Sequence, residues 1–76
     1  MLELQLYYRP TCPFCRRVLD YMDKKKISLD LKDIMEKANQ DRLIKVGGKS
    51  QVPCLFINGK AMYESDDIIQ WLGVNC

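Results

Sequence analysis

Two thiols three residues apart, Cys12 and Cys15, enclose Pro13 and Phe14 just after a short apolar run. This spacing lets a disulfide close across one helical turn, and it lets one thiol resolve a mixed disulfide formed by the other. Proline suits the first position of a helix and breaks its interior. Pro13 therefore predicts Cys12 at an N-cap and Cys15 one turn inside. An N-cap sulfur faces free backbone N–H groups, here those of Phe14 and Cys15, together with the positive end of the helix dipole. Both favour thiolate over thiol, and such thiols fall from about 8.5 to roughly 3.5–7.5. Cys12 is the candidate nucleophile and Cys15 the resolving thiol. A structural disulfide and half of a zinc site are the competing uses of the pair. A tetrahedral cysteine site needs a second close pair, whereas Cys54 and Cys76 stand far apart and the chain has no histidine. Redox chemistry is the preferred reading, with no metal expected.

The elements that must position these thiols are legible from periodicity. Leu2, Leu4 and Leu6 alternate with polar residues and Tyr7 and Tyr8 continue the run, predicting a strand. Arg9-Pro10-Thr11 is the loop into Cys12. From Pro13 to about Lys26, Phe14, Val18, Leu19 and Met22 share one helical face. Ile27, Leu29 and Leu31 alternate as a second strand, which makes a βαβ unit with a parallel pair. A second helix is expected from about Glu36 to Val46, burying Leu43 with Ile44 or Val46, and ending at Gly47-Gly48. Pro53 to Ile57 reads as a third strand, Asn58-Gly59 as a hairpin turn, and Lys60 to Tyr63 as a fourth, antiparallel strand. Ser65 reads as the N-cap of a last helix through Ile68, Ile69 and Leu72, with Asp66 and Asp67 in its first turn. The order βαβαββα predicts an α/β fold, a four-stranded mixed sheet flanked by three helices, as one domain over residues 1–76.

Composition narrows the function. Apolar residues make up 47% of the chain, enough for a packed core. A formal charge of +2 is too small to point to nucleic acid. Lys24-Lys25-Lys26 is expected to be a solvated helix end complementing the dipole. No apolar segment is long enough to span a membrane and no leader pattern is visible, so a cytoplasmic protein without a membrane partner is expected. Cys54 is expected to fill the core as a small hydrophobe, Cys76 to be exposed, and Trp71 to anchor the last helix.

With that order in hand, the chain resembles the glutaredoxin family of the thioredoxin-fold superfamily. The resemblance covers essentially all 76 residues. It rests on the run from Arg9 through Cys12-Pro13-Phe14-Cys15, on Gly47-Gly48-Lys49-Ser50-Gln51-Val52-Pro53, and on Glu64-Ser65-Asp66-Asp67-Ile68. It implies a thioredoxin-like fold and a cis Val52-Pro53 peptide beside the thiols, whose Val52 N–H and C=O pair with a cysteine-containing substrate backbone. It also implies glutathione as reductant and cosubstrate, with Arg9 and Gln40 toward the glycine carboxylate, Ser65 and Asp66 toward the γ-glutamyl end, and Phe14, Val52 and Pro53 lining the site. Helix N-terminal N–H groups suit a carboxylate, and an acidic side chain suits an ammonium.

The chain departs from a typical glutaredoxin at Gln51, where the family has threonine, and at Tyr63-Glu64, where it has a glycine pair. Glu64-Ser65 followed by Ile68 is more similar to the N-terminal domain of glutathione transferases, which share the fold. Those enzymes add an all-helical domain that these 76 residues do not contain, so a stand-alone transferase is not expected. The expectation is a monomeric, glutathione-dependent dithiol oxidoreductase serving electron transport and cell redox homeostasis, with glutathionylated or disulfide-containing proteins as partners. Its alternatives are a thioredoxin-like electron donor reduced by thioredoxin reductase, and a carrier holding an iron–sulfur cluster between two chains and two glutathiones. Pro13 counts against the carrier.

Overall fold

The computed structural model describes residues 3–75. Leu2 and Cys76, to which a strand position and an exposed thiol were assigned above, lie outside that range. The elements run β1 (Leu4–Tyr8), α1 (Pro13–Lys25), β2 (Asp30–Asp33), α2 (Lys37–Gly47), β3 (Cys54–Ile57), β4 (Lys60–Tyr63) and α3 (Ser65–Asn75). One sheet forms in the order β2-β1-β3-β4. β1 pairs in parallel with β2 and antiparallel with β3, and β3 pairs antiparallel with β4. This is the expected βαβαββα α/β fold, with β1 and β3 at the centre.

Strand alternation sends successive residues of the two central strands to opposite faces. Leu6 and Leu55 face one way and join Val18 and Met22 of α1 with Ile68 and Leu72 of α3. Tyr7, Cys54 and Phe56 face the other way and pack with Ile34 and with Leu43 of α2. The sheet is therefore covered on both sides, by α1 and α3 together and by α2 alone. Cys54 is fully buried in the second cluster. Tyr7 stacks on Phe56 with ring centroids 4.6 Å apart, and among the described residues its buried hydroxyl finds no hydrogen-bond partner. Trp71 packs partly against the first cluster. No described helix is long and apolar enough to cross a membrane.

Several boundaries differ from the sequence expectations. α1 stops at Lys25 because Lys26 turns left-handed (φ 56°). Its N–H then donates to Asp23 O and that of Ile27 to Met22 O, a Schellman closure in which Ile27 and Met22 join the same apolar cluster. Ile27 and Leu29 therefore pack beneath the sheet before the strand begins, and β2 starts only at Asp30. On α1 the buried stripe is Cys15, Val18 and Met22, while Phe14 overhangs the first turn at 58% exposure. On α2 Leu43 alone is buried, and Ile44 and Val46 are both exposed. Gly48 closes α2 with φ +85° and an N–H bond to Ile44 O, as a C-cap glycine should. β3 begins at Cys54 because Pro53 has no N–H to donate to a ladder. Asn58 and Gly59, both at positive φ, make the tight turn. Ser65 is the first helical residue rather than the cap. Glu64 takes the cap position at φ 75°, its carbonyl accepting the first helical bond from Ile68 N–H.

Candidate thiol site and adjoining groove

The loop from β1 turns at Arg9, whose carbonyl accepts a hydrogen bond from Cys12 N–H at 3.0 Å. The turn delivers Cys12 in extended conformation to the N-cap of α1, with Pro13 as the first helical residue. Cys12 O then accepts the first helical bond, from Arg16 N–H. Cys12 is partly exposed and Cys15 fully buried, and both are free thiols.

Their electrostatics diverge. Partial burial raises the Cys12 thiol, but four effects outweigh it. These are the Cys15 N–H, the Cys15 thiol, the Phe14 N–H and the Arg9 charge, and the net result lies below the ordinary 9.0. The sulfur makes no full cap hydrogen bond, so the two N–H groups act on it as nearby dipoles. Burial pushes Cys15 up to about 11 against the Arg9 N–H, which donates to its sulfur at 3.4 Å. The hydrogen bond and charge of Cys12 add to that rise, because Cys15 keeps its proton to donate to its neighbour. One thiol is thus held toward its nucleophilic form and the other kept as a protonated reserve. Burial likewise pushes Cys54 up to about 11, which suits its place in the core.

Beside the first turn of α1 runs a groove of about 180 Å³. Phe14 and Arg17 line it from α1, Gln51, Val52 and Pro53 from the loop before β3, and Glu64, Ser65 and Asp66 from the start of α3. The Val52-Pro53 peptide is cis. Among the described residues neither backbone polar group of Val52 has a backbone partner, leaving an N–H and a C=O for an incoming extended chain. Five residues assigned to the site from sequence, namely Phe14, Val52, Pro53, Ser65 and Asp66, line this one groove. Arg9 does not line it; its charge acts on the thiols instead. Gln40, half-buried on α2, lies outside its lining as well. A larger depression of about 400 Å³ along α3, with Trp71 and Met62, has no thiol in its lining among the described residues.

Arg17 is the residue that sequence reasoning missed. Its Nη2 lies 2.6 Å from Asp66 Oδ1 and its Nη1 donates to Ser65 Oγ at 3.4 Å, joining α1 to α3. Helical periodicity places Arg17 on the polar side of α1. Only the tertiary approach of a residue 49 positions later gives it a partner.

Comparison with known proteins agrees with this architecture. The family model described as glutathione S-transferase, N-terminal domain, matches residues 6–75. Glutaredoxin 3 of Escherichia coli (strain K12) is 29% identical over 69 residues, covering 90% of this chain and 83% of its own. Glutathione transferase Omega 3C from Trametes versicolor superposes with a TM-score of 0.82 at 26% identity, over 95% of this chain but only 31% of the transferase. The holo form of glutaredoxin C1 from Populus tremula x tremuloides superposes with a TM-score of 0.69 at 19% identity, over 96% of this chain and 76% of that one, a likeness of fold.

Proposed function

The chain belongs to the glutathione S-transferase N-terminal-domain family, within the glutaredoxin and thioredoxin-fold group, and from that membership we propose that it is a glutathione-dependent dithiol oxidoreductase. Its substrates are protein disulfides and glutathione mixed disulfides. The observation that carries the reading is the placement of two free thiols one helical turn apart, Cys12 partly exposed at the N-cap of α1 and Cys15 buried behind it, next to the groove with the cis Val52-Pro53 peptide.

In the proposed reaction the Cys12 thiolate attacks the glutathione sulfur of a mixed disulfide. A Cys12–glutathione disulfide forms as the substrate thiolate leaves and takes a proton from solvent. A second glutathione thiolate then attacks the glutathione sulfur bound to Cys12. This releases oxidised glutathione and restores the Cys12 thiolate. With a protein disulfide, Cys15 attacks Cys12 instead, closing the Cys12–Cys15 disulfide and expelling the second substrate thiolate, and two glutathiones then reduce that disulfide and leave as oxidised glutathione. Part of what holds the Cys15 proton is the negative charge of Cys12. That charge is gone once Cys12 is in a mixed disulfide, so Cys15 ionises more readily when it is needed. The groove supports glutathione as the ligand. Val52 would pair with its cysteinyl backbone and Ser65 and Asp66 would hold its γ-glutamyl end, while Arg9 and Gln40, outside the lining, would meet the glycine carboxylate where it extends beyond the groove.

The test is NADPH-coupled reduction of a glutathione mixed disulfide, with glutathione plus glutathione reductase compared against thioredoxin reductase alone. Turnover with glutathione that is abolished in Cys12→Ser and kept in Cys15→Ser is expected. Turnover with thioredoxin reductase alone would replace this reading with that of a thioredoxin-like electron donor.

A further inference from the structure

We propose that Arg17 is a specificity-determining residue of the groove, its guanidinium receiving the α-carboxylate of a γ-glutamyl ligand while Asp66 receives the adjacent ammonium. This rests on the glutathione reading above and assigns a contact to a residue on α1 that the reading itself does not use.

Ser65 opens α3 at the wall of the groove. Apart from the aromatic Tyr7, it is the one buried side chain with a hydroxyl among the described residues, at 6% exposure. Its Oγ accepts from Arg17 Nη1 at 3.4 Å, and its own O–H has no acceptor among the described residues. A buried hydroxyl normally finds such a partner. The guanidinium carries five N–H donors, and only two directions are used, toward Ser65 Oγ and Asp66 Oδ1. Unfilled donors from two side chains therefore meet at one place, which suits a carboxylate.

Charge arrangement extends the point. An amino-acid head group bears a carboxylate and an ammonium on one carbon, a short dipole of fixed length. Arg17 and Asp66 form a dipole of the reverse sense, 2.6 Å between their nearest atoms, and both side chains remain more than half exposed. Asp66 keeps its second oxygen outside the hydrogen bond to Arg17. The zwitterion can therefore seat against the pair as an alternating square of charges without breaking it. Glu64, which also lines the groove, accepts from the Gln51 amide at 3.4 Å, and Arg17 is the one cation among the described residues of the lining.

The probe is S-methylglutathione, which cannot form a disulfide, compared by calorimetry with two relatives. A glutaryl analogue lacks the α-ammonium, and a 4-aminobutyryl analogue lacks the α-carboxylate. Arg17→Ala should weaken S-methylglutathione and the glutaryl analogue about tenfold, as befits loss of an exposed charge-assisted contact, and leave the aminobutyryl analogue unchanged. Arg17→Lys, which keeps the charge and loses the fork, should recover part of that loss. Equal weakening of all three ligands, or no weakening of any, would overturn the role of Arg17. A wild-type protein that binds none of them would instead overturn the glutathione reading, and this contact with it.

Discussion

A thiol attacks only as its thiolate, and at Cys12 the balance toward thiolate is made by its nearest neighbours in the chain. The Cys15 and Phe14 N–H groups, the Cys15 thiol and the Arg9 charge together exceed the cost of partial burial. In the reduced protein, the rate of iodoacetamide modification of Cys12, followed by mass spectrometry against pH, should have its midpoint below 9.0. Replacing Cys15 by alanine removes a thiol donor, so the midpoint should rise in Cys15→Ala. A wild-type midpoint at or above 9.0 would contradict the electrostatics of the N-cap. The two N–H groups were legible in the sequence because Pro13 places Cys12 at the N-cap, whereas the contribution of the Cys15 thiol emerges only from the folded geometry. Arg17 was not legible, because its partners Ser65 and Asp66 reach it only when α1 and α3 lie side by side.

At the scale of elements, two helix ends use the same left-handed position with different residues. Gly48 closes α2 at φ +85° with open space around the place a Cβ would occupy, and Lys26 closes α1 at φ 56°. Glycine adopts that conformation without steric cost, whereas a side chain there costs roughly 1–2 kcal/mol, offset in part by the entropy glycine retains when unfolded. Gly48→Ala should therefore lower stability by about 1 kcal/mol, and Lys26→Gly should raise it by up to about the same amount. For a domain of this size that corresponds to melting shifts of roughly 4–8 °C in opposite directions. Shifts of one sign in both would show that something besides backbone conformation governs these ends. The start of α1 and the end of α2 were legible, since Pro13 and Gly47-Gly48 act locally, whereas the cap of α3 falls on Glu64 and not on the expected Ser65. The start of β2 was not legible, because the alternation of Ile27, Leu29 and Leu31 serves first to pack a helix exit and only afterwards a strand.

For the molecule as a whole, the buried thiols tie stability to alkaline pH. Cys15 and Cys54 are both pushed from 9.0 to about 11, so between those values the folded protein keeps protons that the unfolded chain releases. Their contribution is complete below about pH 9 and declines as pH rises toward 11. Tyr63, raised above 10.0 mainly by burial, adds to the decline. Cys12 has the opposite sign. Its stabilising contribution is complete above 9.0 and is lost as pH falls through its lowered value, so it leaves this alkaline window flat. Under reducing conditions the melting temperature should drop more steeply between pH 9 and 11 in the wild type than in a Cys15→Ala, Cys54→Ala double variant. Parallel slopes would refute the assignment. The two-sided core behind these shifts was legible as a βαβαββα order, whereas the exposure of Phe14, Ile44 and Val46 depended on how far each helix overhangs the sheet.

β1 lies at the centre of the sheet, and its register runs from Leu4 opposite Ile57 to Tyr7 opposite Cys54. A ribosome releases β1 and both thiols of α1 long before it releases β3. Until then the first apolar cluster lacks Leu55, Ile68 and Leu72, and α1 has only Leu4, Leu6, Ile27 and Leu29 from outside the helix to pack against. An isolated helix of that length has little stability in water. A nascent chain halted before residue 54 therefore carries Cys12 and Cys15 as two ordinary thiols of similar acidity. The distinction between attacker and reserve is acquired late in synthesis, when the central strand receives its second neighbour.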